Sequence, residues 1–172
     1  MRLFIAINFT ENIVQGLGEA VQKLKEASLS GNFTTPENLH MTLVFLGEVR
    51  DIMPVIHVMD RHLDKKTILT ISGLGKFQRD RGDIYWAGVQ DNPMLKKYYR
   101  KLCAGLKKEG YWIEDRPFRP HITLGRQVVL SQEPDIRIPE MTMLVNSISL
   151  VRSDRVDGKV NYKEVYIRDL RN

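Results

Sequence analysis

Cysteine and long apolar runs are what this 172-residue chain most lacks. The single cysteine, Cys103, cannot form a disulfide within the chain, which fits a reducing compartment such as the cytoplasm. No apolar run approaches the roughly 20 residues that a transmembrane helix needs, so we expect no membrane segment. The start, MRLFIAINFTEN, lacks the small-residue cleavage site of a signal peptide and reads as a first strand. We therefore expect a cytoplasmic protein.

Strong charge is absent as well. The chain has 26 Lys and Arg against 21 Asp and Glu, a net charge of +5, with no long basic block, low-complexity tract or proline-rich linker. This modest excess fits a polyanionic partner such as RNA and fits a generic basic surface equally well. The length and the 42% hydrophobic content allow one compact domain or two small lobes that share an interface.

The apolar pattern predicts strands and helices in alternation. Helical spacing after Thr10, Asp51 and Asn92 predicts three helices. Asp157 and Gly158 form a strong hairpin signal between the last two strands. Residues 28–38 are predicted to be a loop with at most a short strand. The predicted strands cover residues 2–7, 39–46, 67–77, 84–89, 121–126, 142–152 and 160–168.

An internal repeat relates the two halves. When the sequence is shifted by 81 residues, the predicted helix after Thr10 falls on the predicted helix after Asn92. No gap is needed from the first strand of each half to the strand that contains His40 or His121. The shared register predicts a single domain over residues 1–172, with two pseudo-twofold β-α-β lobes that roughly follow the sequence halves and share one cleft. The coincident pairs are Ala6 with Ala87, Pro36 with Pro117, His40 with His121, Thr42 with Thr123 and Leu43 with Leu124.

The repeat carries the same polar pair in each half. Residues i and i+2 of a strand share a face, so His40 and Thr42 point to one side, and His121 and Thr123 do so in the second half. A lone histidine in a strand is more often a packing residue than a catalyst, but a matched pair reverses that preference. The two segments are NLHMTLVFLG (38–47) and RPHITLGR (119–126).

Two imidazoles across a groove suit acid–base chemistry at phosphorus. With a pKa of about 6.5, one can take a proton from a nucleophile while the other protonates a leaving oxygen, each role being worth about 10²–10⁴-fold in rate. In-line displacement puts base and acid on opposite sides of the phosphate, and neighbouring hydroxyls can donate to its non-bridging oxygens. The chain offers no His-Glu pair on a helix and no Cys/His cluster, so we expect no metal and no cofactor.

With these motifs the chain resembles the 2H phosphoesterase superfamily, which is named after two His-x-Thr/Ser motifs. Within it, the chain is most similar to the bacterial and archaeal RNA 2′,3′-cyclic phosphodiesterases, once called 2′-5′ RNA ligases. The resemblance covers essentially the whole chain. The segments that carry it are RLFIAI, PENLHMTLVFLGEV, WAGV, RPFRPHITLGR and SISLVRS, the last followed by a strand that contains tyrosine.

The resemblance implies a bilobal α+β fold, with two antiparallel sheets lining a central cleft and helices outside. It implies hydrolysis of RNA 2′,3′-cyclic phosphate ends to 2′-phosphomonoesters, with reversible 2′-5′ ligation in relatives. His40 and His121 would be the acid–base pair, and Thr42 and Thr123 would hold the phosphate. The sequence does not decide which histidine is the base; our preference is His121 as base and His40 as acid. The expected partner is RNA or an oligonucleotide with a 2′,3′-cyclic phosphate end, acted on by a monomer.

Arg126 matches the family's His-x-Thr-Leu-x-Arg pattern, in which it would bind phosphate. Strict alternation points it away from the face of Thr123, unless the chain bends at Gly125. The same alternation predicts that Phe45 belongs to the core. Arg116 and Arg119 are candidates for contacts with an RNA backbone or for solvated charges. Packing or surface positions are expected for His57, His62, Tyr85, Trp86 and Cys103.

Two other interpretations of the motifs stay open. The first is a phosphodiesterase of the same superfamily that acts on a nucleotide cyclic phosphate, an ADP-ribose cyclic phosphate or a 2′-5′ oligonucleotide. The second is a non-catalytic module that binds RNA ends. The second requires both intact His/Thr pairs to be vestigial.

Overall fold

Two antiparallel sheets carry three helices on their outer faces. The structure is a computed structural model that describes residues 1–172. In chain order the elements are β1 Arg2–Asn8, α1 Glu11–Ala27, β2 Ser28–Phe33, a 3-10 turn Pro36–Asn38, β3 His40–Glu48, α2 Met53–His62, β4 Thr67–Phe77, β5 Asp83–Val89, α3 Pro93–Lys108, β6 His121–Leu130, β7 Met141–Val145, β8 Ser147–Val156 and β9 Lys159–Asp169. The four-stranded sheet has the order β3-β1-β8-β9, and the five-stranded sheet β2-β6-β5-β4-β7.

The sheets exchange strands between the two halves of the sequence. Strands β2 and β4 of the first half lie beside β6 and β5 in the five-stranded sheet, whereas β8 and β9 of the second half complete the four-stranded sheet beside β1. The α+β class and the two antiparallel sheets are as the sequence predicts. The lobes match the sequence halves only roughly.

The helices pack by the apolar stripes that their sequences predict. Helix α1 packs against the five-stranded sheet, and α2 and α3 pack against each other and against the edge strands of the four-stranded sheet. Asn92 caps α3 by accepting the Leu95 N–H at 3.1 Å, whereas Thr10 stands at the start of α1 without a side-chain cap. No helix has both the length and the apolar character that crossing a bilayer requires.

The predicted strand 142–152 is wrong, because the chain changes sheets within it. Strand β7 pairs with β4 and β8 pairs with β1, and the break falls at Asn146. The hairpin signal that follows is confirmed: Asp157 and Gly158 have φ values of 51° and 76°, and Val156 pairs with Lys159. Residues 28–33 form a six-residue strand, β2, where the sequence predicted a loop with at most a short strand.

The pairing of strands corrects one detail of the repeat. Thr42 lies opposite Ala6, but Thr123 lies opposite Trp86 and not opposite Ala87. The first strands of the two halves are therefore offset by one residue from the 81-residue period. The coincidence of Ala6 with Ala87 is one of sequence and not of structural position.

Candidate active site

A β-bulge interrupts each of the two His/Thr strands just after its threonine. In β3 the partner of Ala6 is Thr42 and the partner of Ile5 is Val44, so Leu43 is an extra residue. In β6 the register slips between the partners of Trp86 and Tyr85, which makes Leu124 the extra residue. A bulge places two consecutive side chains on nearly the same side and reverses the alternation beyond it.

The two bulges decide where Phe45 and Arg126 point. Leu43 and Val44 are both buried and Phe45 is 45% exposed, so Phe45 shares the face of Thr42 and its predicted core position is wrong. Arg126 stands at the matching place after the second bulge and is exposed. The bend anticipated at Gly125 therefore exists, as an extra residue in the strand, and Arg126 returns to the face of the second His/Thr pair.

The His40 side chain is fixed from three sides. Its Nδ1 lies 2.7 Å from the Asn38 carbonyl, which can only accept, so Nδ1 carries the proton. Its Nε2 lies 3.0 Å from the Thr42 hydroxyl. The imidazole packs against the rings of Phe4 and Tyr162, at centroid distances of 4.9 and 5.1 Å. These contacts leave Nε2 as the nitrogen for proton transfer.

His121 repeats the same arrangement in the other sheet. Its Nδ1 lies 2.7 Å from the Arg119 carbonyl, again two residues before the histidine. The edge of Phe77 contacts the ring at 5.0 Å, and Trp86 lies 6.2 Å away. No hydroxyl lies beside Nε2 of His121, whereas Nε2 of His40 lies against the Thr42 hydroxyl. In His121, Nε2 therefore has no hydrogen-bond partner within the chain.

Both imidazoles favour the neutral form. Burial lowers the pKa of His40; the hydrogen bond to the Asn38 carbonyl opposes this, and the positive charges of Arg126 and His121 lower the pKa further. Burial also lowers the pKa of His121, with the Arg119 carbonyl opposing and Arg126 and Arg116 adding to the shift. The charge of Arg126 thus acts on the pKa of both histidines.

A cavity of about 670 Å³ reaches both His/Thr strands. Of the predicted site residues, Thr42 and His121 line it, whereas His40, Thr123 and Arg126 do not. Thr42 and Phe45 line it from β3, and His121 lines it from β6. Arg79, Arg116 and Arg119 add positive charge to its wall, which suits a phosphate-bearing ligand. Within the chain, no group of three or more His, Cys, Asp or Glu side chains is placed to hold a metal ion.

The aromatic supports of the two histidines were not found from the sequence. In the sequence, Phe4 is separated from His40 by α1 and β2, and Tyr162 lies in the last strand, far after His40. Only the pairing of β1 with β3 and β8, and of β8 with β9, brings these rings together. The one signal available was the tyrosine in the last strand, which the family resemblance includes.

The remaining sequence predictions divide into packing and surface positions as expected. Cys103 and Tyr85 are buried, at 9% and 5% exposure. His57 is exposed and His62 packs near Gly105. Arg116 forms an ion pair with Glu114 at 3.4 Å, on a loop that also lines the cavity.

Comparison with known proteins gives one consistent family. The model of the 2′-5′ RNA ligase superfamily matches residues 14–157. The chain is 30% identical to an RNA 2′,3′-cyclic phosphodiesterase of Thermotoga maritima, over 96% of this chain and 94% of the relative. It is 29% identical to the Escherichia coli protein of the same name, over 94% and 92%.

Solved structures agree with the sequence relatives. E. coli LigT complexed with 3′-AMP superposes with a TM-score of 0.87 at 26% identity, covering 99% of this chain and 98% of that chain. The phosphodiesterase domain of MHV ns2 has a TM-score of 0.64 at 11% identity and shares the fold. Since the family model spans both His/Thr strands and the whole cleft between them, this chain belongs to the 2′-5′ RNA ligase superfamily of 2H phosphoesterases.

Proposed function

We propose that this protein hydrolyses RNA 2′,3′-cyclic phosphate ends to 2′-phosphomonoesters, without a metal ion and without a covalent enzyme intermediate. One observation carries the mechanism: His40 and His121 each donate Nδ1–H to a carbonyl two residues earlier, which leaves both Nε2 atoms for proton transfer. The names of the curated relatives, RNA 2′,3′-cyclic phosphodiesterases, support the substrate.

In the first half of the reaction, one neutral imidazole activates water. Its Nε2 accepts a proton as the water oxygen attacks phosphorus. We prefer His121 as this base, because its Nε2 has no partner within the chain, whereas Nε2 of His40 lies against the Thr42 hydroxyl. The lowered pKa of His121 keeps its ring neutral near pH 7.

In the second half, the bond from phosphorus to O3′ breaks. The other imidazole, His40, gives an Nε2 proton to the departing O3′. Because burial lowers the pKa of His40, the reaction uses the minority of molecules in which this ring is protonated. The base has gained one proton and the acid has lost one, so exchange with solvent restores the starting state. The product is a 2′-phosphate beside a free 3′-hydroxyl, and no atom of the protein is bonded to it.

Three side chains are proposed to hold the phosphate during this transfer. The hydroxyls of Thr42 and Thr123 donate to its non-bridging oxygens, and the guanidinium of Arg126 balances the charge that develops on them. Support for Arg126 comes from the bulge that returns it to this face and from its electrostatic effect on both histidines.

Ligation is the second candidate, favoured by the description of the matching family model. A 5′-hydroxyl of another RNA end takes the place of water, attacks the cyclic phosphate, and displaces O3′ to leave a 2′-5′ bond. The same base and acid serve, and the protons balance as before. Because one chain supplies both histidines, we propose a monomer as the active form, acting in the cytoplasm.

Product analysis tests this proposal. An oligonucleotide with a 2′,3′-cyclic phosphate end is incubated with the protein in excess EDTA, and the new end is identified by chromatography against 2′- and 3′-phosphate standards. We expect a 2′-phosphate at an undiminished rate. A 3′-phosphate, or a reaction that the chelator stops, would contradict the mechanism. Binding without turnover would support the non-catalytic alternative.

A further inference from the structure

Two aromatic side chains of this protein are exposed, and both line the catalytic cavity. Among the large apolar residues that are exposed, Phe45 at 45% and Trp112 at 80% are the only aromatic ones. Isolated exposed apolar residues are common on protein surfaces. Two aromatic rings on the wall of one cavity are a feature of proteins that stack nucleic acid bases.

Trp112 is exposed although the backbone on both sides of it is anchored. The preceding residue, Tyr111, donates its hydroxyl to the Asp51 carbonyl at 3.0 Å. The following residue, Ile113, is 8% exposed and belongs to the main core cluster. The backbone that carries the indole is therefore anchored on both sides, so stacking on the ring requires little ordering of the loop.

The loop that carries Trp112 is fastened to α3 further along. Tyr99 stacks on Phe118 with a centroid distance of 4.6 Å, and its hydroxyl donates to the Arg116 carbonyl at 3.0 Å. The same loop ends at Arg119, whose carbonyl orients His121. One loop, fastened to α3 and to Asp51, thus connects the exposed indole to His121.

The loop that carries Trp112 is anchored, through Tyr111, to Asp51, which follows the end of β3 farther from Thr42. The cavity follows β3 residue by residue from Thr42 to Gly47, a length of roughly 15 Å at about 3.3 Å per residue. The Asp51 carbonyl that anchors Tyr111 lies just beyond the end of this strand. One strand of stacked nucleic acid rises about 3.4 Å per nucleotide, so the cavity has room for more than the terminal base.

The charge of the cavity as a whole fits a phosphodiester. Arg79, Arg116 and Arg119 line it, and Glu114 is the single acidic residue among the lining side chains. Glu114 is paired with Arg116 at 3.4 Å, so the net charge remains positive. A chain of nucleotides brings one phosphate for each base beyond the first.

We propose that Trp112 stacks the base of the nucleotide that precedes the cyclic phosphate, so that the protein selects oligonucleotide ends over free cyclic mononucleotides. This proposal rests on the function proposed above and names the substrate class of the same cavity. Phe45 shares the face of Thr42 and lies three residues along β3 from it. In this proposal it faces the terminal nucleotide, which both kinds of substrate contain.

A ratio of two rates tests the proposal. The value of kcat/KM is measured for adenosine 2′,3′-cyclic phosphate and for the dinucleotide ApA with a 2′,3′-cyclic phosphate end. Stacking on one aromatic ring is worth about 5- to 140-fold, so the wild type should prefer the dinucleotide by a factor in that range. Trp112→Ala should bring the ratio close to one, and Trp112→Phe should keep most of it.

Phe45→Ala is the matched control, because it removes the other exposed ring of the same cavity. Its ratio should stay near that of the wild type even if both rates fall. A wild-type ratio near one would overturn the proposal, and so would a Trp112→Ala variant that keeps the preference. An equal loss of the ratio in the Trp112 and Phe45 variants would also overturn it, since the effect would then not belong to the indole.

A binding measurement separates this proposal from the proposed function. ApA ending in a 2′-phosphate, which cannot react further, should quench the fluorescence of the wild type more than 2′-AMP does, and the difference should disappear in Trp112→Ala. If neither cyclic phosphate is cleaved, the proposed function fails while this readout still decides the stacking site. Quenching that is unchanged by the substitution would contradict the stacking site even if turnover is normal.

Discussion

Replacing Arg126 with Met separates its two proposed roles. Arg126 takes part in none of the ion pairs within the chain, so the substitution should leave the melting temperature close to that of the wild type. A charge-assisted hydrogen bond to the phosphate is worth about 1.5–3 kcal/mol. Its loss should lower kcat/KM by about 10- to 140-fold.

The pH dependence of the same variant reports the second role. The charge of Arg126 lowers the pKa of both His40 and His121. Removing a positive charge makes protonation of each imidazole easier, so both pKa values rise and both limbs of the kcat/KM profile move to higher pH. The assay is the initial rate of cyclic phosphate hydrolysis across a pH series, at substrate concentrations below KM.

Arg116→Met provides the control for this prediction. The charge of Arg116 lowers the pKa of His121 but is not among the causes that shift His40. We therefore expect only one limb of the profile to move in this variant. A profile for Arg126→Met that keeps both limbs in place would refute the assignment of Arg126 to the shared environment of the histidines.

Two further predictions concern the threonines and the pH dependence of the site. Thr42→Val and Thr123→Val should each lower kcat/KM by about 10- to 140-fold, because each variant loses one charge-assisted hydrogen bond to the phosphate. If steady-state kinetics show a loss below twofold, that threonine does not bind the phosphate. Because burial lowers the pKa of both His40 and His121 from 6.5, the rate should fall at low pH as the base becomes protonated and at high pH as the acid loses its proton. The maximum of kcat/KM should therefore lie below about pH 6.5, and a maximum above pH 7.5 would show that the free protein does not hold the histidines in this state.

The repeat made the centre of the site predictable from the sequence. His40, Thr42, His121 and Thr123 have side chains two residues apart on strands, and alternation fixes a shared face over so short a distance. The hairpin at Asp157 was equally local, because a two-residue turn depends on backbone conformations that few residue types adopt.

The rule that successive side chains point to opposite faces gave wrong positions where the register between paired strands shifts. The extra residues at Leu43 and Leu124 reverse the faces of Phe45 and Arg126, and apolar side chains on both sides of a bulge hide it from pattern analysis. The one-residue offset of the first strands has the same origin, since register depends on the partner strand as well as on the chain itself.

Long-range contacts were out of reach for a related reason. Phe4 and Tyr162 support the His40 ring only because β8 leaves the second half and pairs with β1. The break at Asn146 sends the chain to that sheet. The alternation of apolar residues shifts there by one position, from Met143 and Val145 to Ile148 and Leu150, but this shift does not identify the new partner strand. The sequence pattern of a strand indicates which side chains share a face, whereas the order of strands in the sheets decides which strands are neighbours.

The rates of His40→Ala and His121→Ala test the central claim most directly. Single-turnover hydrolysis of an oligonucleotide 2′,3′-cyclic phosphate is measured for both variants and for His57→Ala, which removes an exposed histidine outside the cleft, with circular dichroism confirming that each is folded. We predict a loss of at least about 10²-fold, and up to about 10⁴-fold, for each cleft histidine and none for His57. A folded variant at position 40 or 121 that hydrolyses the substrate at the wild-type rate would contradict the account.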